Sequence, residues 1–331
     1  MGTSNSTTLR WGIIGTGNIA RQFGTDLTLS GTGILAGVAS RSLEKASRFI
    51  ASLENKDLES VTAYGDYSSI LEDPAVEAIY IALPNTLHFA WTSAALRAGK
   101  HVLCEKPLAL NSAAAEELFD LAAENGVLLM EGFMYRAHPQ TRLLLETISG
   151  GEIGELKVIQ SNFCFNRPAS MEDARFQPNE GGGSLMDVGC YCIDFARLLT
   201  GEEPTGVSGI PHLHELGVDD YFAGSLSFPG GTLASFVCGM TVTTDQTTRL
   251  YGTEGWIEIP RFWKAAEGFT IHHPSDEPRS VHVPKLESLP PLYALEADAF
   301  AGVTYGAANW NRPENTIANL KAIEAIRVPF R

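Results

Sequence analysis

The chain has 331 residues, with 24 Lys plus Arg against 39 Asp plus Glu, for a formal net charge of −15. That length suits two domains each able to bury a core, and that charge excludes a nucleic-acid or anionic-membrane surface, so any bound anion must be held locally. Five cysteines without a Cys-x-x-Cys pair exclude a disulfide framework and lead us to expect reduced thiols in a soluble, cytoplasmic protein. No apolar run reaches the roughly 18 residues of a membrane span. Met1 to Thr8 also lack the basic start and apolar stretch of a secretory signal.

From Leu9 to about Met130, short apolar runs alternate with helix-like segments, the pattern of a parallel sheet flanked by helices. The runs are Leu9 to Ile14, Ile34 to Ala39, Ala78 to Leu83, His101 to Cys104 and Val127 to Met130. Helices are expected at Ile19 to Leu29, Leu43 to Leu53, His88 to Ala98 and Ser112 to Glu124, the last capped by Asn111 and Ser112 and stopped at Gly126. Beyond Glu131 the rhythm changes to longer strand-like segments: Lys157 to Phe165, Tyr221 to Phe228, Thr232 to Cys238 and Thr248 to Tyr251. Short turns such as Pro229-Gly230-Gly231 join them, which implies an antiparallel α+β domain. Pro274 to Pro291 reads as a surface loop, and helices Tyr293 to Val303 and Pro313 to Arg327 close the chain. The expected organisation is therefore α/β, with a Rossmann doubly wound domain over 1–130 and an α+β substrate domain over 131–331.

Gly15-x-Gly17-x-x-Ala20 follows a strand and opens a helix, which is the context a dinucleotide turn requires. Gly15 permits the turn, Gly17 admits a pyrophosphate, and Ala20 allows close packing. Thr16, Asn18 and Ile19 complete the helix entrance, whose N–H groups face the anion. The bland alternative is an ordinary strand-to-helix turn. Where an NAD site places a carboxylate at the end of the second strand, this chain has Ala39-Ser40-Arg41-Ser42. Arg41 can clamp a 2′-phosphate and Ser40 or Ser42 can hydrogen-bond it, so NADP is expected, with NAD possible through Glu44.

Leu83-Pro84-Asn85-Thr86-Leu87-His88 and the run ending Glu105-Lys106-Pro107 lie at carboxyl ends of parallel strands, where open α/β sheets bind ligands. Asn85 can instead cap the following helix, and His88 can be an ordinary satisfied histidine. A partly desolvated Lys106 beside a nicotinamide can exchange a proton with an alcohol, with Glu105 orienting it. In isolation, a surface lysine would be the better reading. His212, His214 and the pair His272-His273 join no carboxylate in a ligand pattern, so no metal is expected. Ser184 is not in a nucleophile elbow.

These pieces, with Glu131-Gly132-Phe133-Met134-Tyr135-Arg136 and Gly181-Gly182-Gly183-Ser184-Leu185-x-Asp187-x-Gly189-x-Tyr191, resemble the glucose-fructose oxidoreductase / inositol dehydrogenase / MocA (Gfo/Idh/MocA) family over nearly the whole chain. The resemblance implies a second domain whose open, largely antiparallel sheet carries the substrate on one face and often a dimer or tetramer interface on the other. It adds Arg136, Leu83, Pro84 and Glu105 to the cofactor set. It also implies that Lys106 holds substrate and cofactor, that the proline after it is often cis, that Asp187 binds a substrate hydroxyl, and that Tyr191 is the acid or base. Asp187 and Tyr191, four apart on a helix, would share one face. Many sugar and inositol dehydrogenases of this family carry His at the Tyr191 position; tyrosine is similar to the aldose and dihydrodiol branch. The expected activity is hydride transfer between NADP and a hydroxyl-bearing carbon of a sugar, cyclic polyol or dihydrodiol. A non-catalytic dinucleotide-binding regulator and an NAD-dependent glycosidase are the alternatives. Arg167, Arg175 and Tyr293 are candidates for substrate hydroxyl contacts.

Overall fold

Apolar runs covered on both faces, each followed by a helix, build β1 (Leu9–Ile14), α1 (Asn18–Leu27), β2 (Gly33–Ala39), α2 (Leu43–Ala51), β3 (Thr62–Tyr64), α3 (Ser69–Glu72), β4 (Ala78–Ile81), α4 (Asn85–Arg97), β5 (His101–Glu105), α5 (Ser112–Glu124) and β6 (Leu129–Gly132). In the computed structural model, which describes residues 8–53, 60–264, 267–283 and 286–327, the strands pair in parallel in the order β3-β2-β1-β4-β5-β6. The order reverses between β1 and β4, so the crevice beyond their carboxyl ends lies between the Gly15 turn and Leu83-Pro84. α4 starts at Asn85, three residues before the expected His88, because Pro84 takes the cap position at φ −56°. Trp11, Ile13, Ile14, Phe23, Val38, Ile79 and Leu103 are fully buried, and Phe23 stacks on Tyr80 at 3.7 Å.

The second sheet follows α6 (Pro139–Ser149): β7 (Leu156–Cys164), then α7 (Cys190–Thr200), β8 (Gly206–Leu213), β9 (Asp219–Ser227), β10 (Leu233–Gly239), β11 (Thr247–Gly252), β12 (Trp256–Pro260), β13 (Gly268–His272) and β14 (Arg279–His282). Its order is β14-β13-β12-β11-β7-β10-β9-β8, antiparallel except where β7 meets β10. Period-two alternation sends Phe222, Leu226, Ala234, Phe236 and Cys238 inward, and leaves Ile210, Tyr221, Leu233 and Val237 exposed on the other face. β14 corrects the surface loop expected from Pro274 to Pro291. It pairs with β13 from Gly268↔His282 to Ile271↔Arg279, and its short, mostly exposed Arg-Ser-Val-His sequence carries little apolar pattern. His212 lies on β8, and His214 beyond it in the turn toward β9.

Two units result. One comprises the chain up to Ala109, Ala113–Ala137 and Leu289–Pro313; the other Leu110–Ser112, His138–Ser288 and the chain from Glu314. The helix α8 (Leu292–Thr304) thus returns to the first unit, and α9 (Pro313–Arg327) to the second. α8 docks through Phe300, whose ring centroid is 5.1 Å from that of Trp11. Asp298 secures it by accepting the N–H groups of Gly31 at 3.1 Å and Thr32 at 2.9 Å. Among the described residues no helix is long and apolar enough to cross a membrane.

Candidate active site

Within the first unit the dinucleotide turn has the geometry its sequence requires. Gly15 sits at φ +113°, and a Cβ there would lie 2.3 Å from the Ala82 carbonyl oxygen, so neither the conformation nor the space admits another residue. Above Gly17 a Cβ would meet nothing within 4 Å, and no side chain caps α1. The orphan N–H groups at Asn18 and Ile19 therefore open on a concavity suited to a pyrophosphate. Thr16 and Ser40 hydroxyls lie 3.2 Å apart beneath the end of β2, and Ser40 is buried. Arg41 is exposed beside Tyr67; burial raises the Tyr67 pKa, and the guanidinium partly counters it. These residues fit a dinucleotide with a charged ribose substituent.

Lys106 follows β5 and is half-buried, with a cis peptide bond to Pro107. The chain beyond it is gripped from two sides. His88, 1% exposed, places Nδ1 at 2.8 Å from the Pro107 carbonyl oxygen and Nε2 at 2.8 Å from that of Leu83. Glu131 accepts the Leu108 N–H at 2.8 Å. The imidazole thus bridges the two strand ends, and its burial, with the Lys106 ammonium adding to it, holds its pKa below the usual value. Asn85 occupies the first position of α4, with Pro84 rather than Asn85 at the cap. Arg136, in the short 3-10 turn Met134–Ala137, has Nη1 3.5 Å from the Trp310 carbonyl oxygen.

Behind Lys106 lies a polar frame in which Glu105 meets Tyr80 and Glu296, two residues that sequence reasoning missed. Glu105 is buried and accepts a hydrogen bond from the Tyr80 hydroxyl. Glu296 on α8 is fully buried, and neither carboxyl oxygen has a hydrogen-bond partner among the described residues. A signal existed: Tyr293, Glu296, Ala297 and Phe300 follow helical spacing, which puts Glu296 on the apolar stripe. Tyr293, a candidate for substrate contact, is itself packed edge-on against Phe23 in this core.

Burial, then the neighbouring Glu105, pushes the Glu296 pKa well above the carboxylate range. The native state therefore binds a proton that the unfolded chain releases, and this group's stabilisation is complete below the ordinary glutamate value and is lost as pH rises toward the raised one. Glu296→Gln, which cannot ionise, should gain melting temperature over the parent increasingly from about pH 5 to pH 8. Melting curves that stay parallel across that range would remove the assignment.

The second unit carries Asp187 and Tyr191. Leu185–Gly189 forms a π-helical turn, closed by Cys190 N–H on the Leu185 carbonyl, which runs into α7. Such wide turns recur at functional sites, and residues four apart remain about one turn apart in either helix type. Asp187 and Tyr191 therefore stand about one turn apart along the continuous π-helical turn and α7. Tyr191 is 3% exposed and sits in an aromatic frame, its ring centroid 5.2 Å from Phe163 and 5.8 Å from Trp263, both edge-on. Trp263 is fixed in turn by donating Nε1–H to the Asn162 carbonyl at 2.7 Å.

Asp187 is 14% exposed and accepts Arg175 Nε–H on Oδ2 at 3.1 Å. Arg175 also pairs with Asp173, which takes Arg167 Nη1 at 2.6 Å. Burial would raise the Asp173 pKa, but the two guanidinium groups overcome it and hold the carboxyl below its usual value. Arg167 is thus linked to Asp187 through this chain of ion pairs. Nothing in the sequence singled out Asp173, because its neighbours come together only when the loop folds.

The chain matches the model of an oxidoreductase family with an NAD-binding Rossmann fold over residues 9–133, and that of the GFO/IDH/MocA C-terminal domain over 141–258. It is 36% identical to trans-1,2-dihydrobenzene-1,2-diol dehydrogenase of Mus musculus over 262 residues, covering 78% of this chain and 77% of that one. It is also 36% identical to D-xylose 1-dehydrogenase (NADP(+)) 2 of Haloferax volcanii over 250 residues, covering 76% and 75% of the two chains. The 3-ketoreductase KijD10 of Actinomadura kijaniata, solved with NADP and TDP-benzene, superposes with a TM-score of 0.85 at 30% identity over 97% of each chain. With its glycine turn and these likenesses, the chain belongs to the Gfo/Idh/MocA oxidoreductase family.

Proposed function

We propose that the protein is an NADP-dependent oxidoreductase acting on a hydroxyl-bearing carbon of a sugar, a cyclic polyol or a dihydrodiol. The observation that carries this reading is Asp187, held by Arg175, one helical turn from Tyr191. The names of the mouse and archaeal relatives, a diol and an NADP-linked xylose dehydrogenase, support the substrate class. NADP, when bound, supplies or accepts a hydride at the nicotinamide C4. The first unit holds it with Gly15, Thr16, Gly17, Asn18 and Ile19 at the pyrophosphate and Ser40 and Arg41 at the 2′-phosphate. Leu83, Pro84, Asn85, Glu105 and Arg136 line the strand-end side, with His88 bracing Leu83 and Pro107.

Tyr191 exchanges the proton of the reacting hydroxyl at its phenolic oxygen. Its aromatic frame restricts the ring. Lys106 assists that proton transfer with its ammonium group. Asp187 accepts a hydrogen bond from a substrate hydroxyl and so sets which carbon reacts. We further propose a homodimer or homotetramer built on the outward face of β8, β9 and β10, where Ile210, Tyr221, Leu233 and Val237 are exposed; a monomeric mass in light scattering would rule it out. Five buried, free cysteines favour a cytoplasmic compartment.

The reading is tested by following reduced-nicotinamide absorbance with NADP+ and NAD+ against sugars, inositols and diols. Net reduction with NADP+ is expected. Silence would favour a dinucleotide-binding regulator, and a transient change with bond cleavage a glycosidase. In Arg41→Ala the NADPH Kd should rise about tenfold to a hundredfold while that of NADH stays put, since only the 2′-phosphate loses a charge-assisted partner. An equal loss for both cofactors contradicts the role given to Arg41.

A further inference from the structure

The ion pairs before α7 reach Asp187 in series and are tied to the backbone at each step. Arg175 N–H donates to Asp173 Oδ1 at 3.1 Å, and Arg175 Nη1 reaches the same oxygen at 3.1 Å. The Arg175 carbonyl accepts Gly183 N–H at 2.9 Å, and the Gly183 carbonyl accepts Asp187 N–H at 2.9 Å. A Cβ on Gly182 would lie 2.4 Å from that Arg175 carbonyl oxygen, and Gly183 sits at φ +113°, so the glycine run is what allows this approach. Phe176, next in the chain, is fully buried with Val218 and Met240 and anchors the turn. The guanidinium is therefore placed by its own main chain and by Asp173 before it meets Asp187 Oδ2.

We infer that Arg175 is a positioning residue for the reaction: its Nε–H fixes the plane of the Asp187 carboxylate and keeps it a hydrogen-bond acceptor, with Asp173 and Arg167 locking the guanidinium from behind. The inference deepens the proposed function and rests on it for the meaning given to Asp187. A charged carboxylate only accepts, whereas a protonated one would present a donor and lose its preference for a substrate hydroxyl. One planar group spans two carboxylates through Nε and Nη1, which a single ammonium point does not reproduce. The strong pull of Asp187 on Arg175, the main reason the guanidinium pKa lies above its usual value, agrees with this coupling.

The experiment compares parent, Arg175→Lys and Arg175→Met by two readouts. The first is the titration of Asp187 by NMR on Asp-labelled protein, assigned with Asp187→Asn, which needs no turnover. In Arg175→Met the Asp187 titration should move up by about one to three pH units. The acid limb of kcat/KM should move with it, and the polyol KM should rise about tenfold or more while NADPH affinity holds. Arg175→Lys should restore most of the titration yet leave KM raised, because charge returns without the fork. An unmoved Asp187 titration in folded Arg175→Met overturns the inference whether or not the protein turns over. Should that variant not fold, an unchanged KM in Arg175→Lys overturns it. Failure of the redox reading shows separately, as a parent that reduces no cofactor.

Discussion

Lys106→Met is expected to lower turnover about 10²–10⁴-fold while NADPH binding stays largely intact. Methionine keeps the length of the side chain and removes the ammonium group. The surrounding grip is independent of that group: His88 holds the Pro107 carbonyl and Glu131 holds the Leu108 N–H. The loss therefore falls on proton transfer and on the hold on substrate, worth about 3–5 kcal/mol of transition-state stabilisation, rather than on folding. Stopped-flow absorbance of reduced nicotinamide, with NADPH affinity from fluorescence, separates the two. Turnover retained within about tenfold would falsify the role given to Lys106. The same variant offers an internal check. Burial holds the His88 pKa down and Lys106 adds to that, so the imidazole should titrate higher once the ammonium is gone.

Tyr191→Phe should cost a comparable factor, about 10²–10⁴ in kcat, with little change in melting temperature. The ring is what packs against Phe163 and Trp263, and phenylalanine supplies the same ring. Only the oxygen that exchanges the proton disappears. Because the interaction is made in the transition state, kcat and kcat/KM should fall together while the polyol KM moves little. A large rise in KM at unchanged kcat would show that Tyr191 only binds substrate. Combining the two substitutions sharpens the assignment: if Lys106 and Tyr191 serve one proton-transfer step, the double variant should be barely slower than either single one. Additive losses would separate their roles.

The Rossmann unit was legible in the chain because its signals are local. A strand covered on both faces is an apolar run, a tight turn with positive φ calls for glycine, and β1 and α5 run over the residues that the spacing marks out. The proposal for Arg41 is local in the same way, since it rests on the residue type at the end of β2. The second sheet was legible as antiparallel from its turns, but β14 was not. An exposed edge strand is selected by backbone pairing, and its side chains carry little pattern. The resemblance to the family supplied Asp187 and Tyr191, and helical spacing alone put them on one face. That the face begins in a π-helical turn was not written in the spacing.

By itself the sequence determined the class of fold, the phosphate-binding turn, the absence of a carboxylate where ribose hydroxyls would be read, and the side-chain types available for proton transfer. Each depends on residues within a few positions of one another. The tertiary structure alone decided which groups meet across long separations. Glu296 lies 191 positions after Glu105 yet is close enough to raise its own pKa through it, and α8 returns to the first unit although it follows the whole second sheet. The Asp187 carboxylate is held by Arg175, and Arg175 by Asp173, because a glycine run lets two segments of backbone touch. The physical reason is the same in each case. Charge interactions and hydrogen bonds act through a few ångströms of space, and only the folded chain sets those distances.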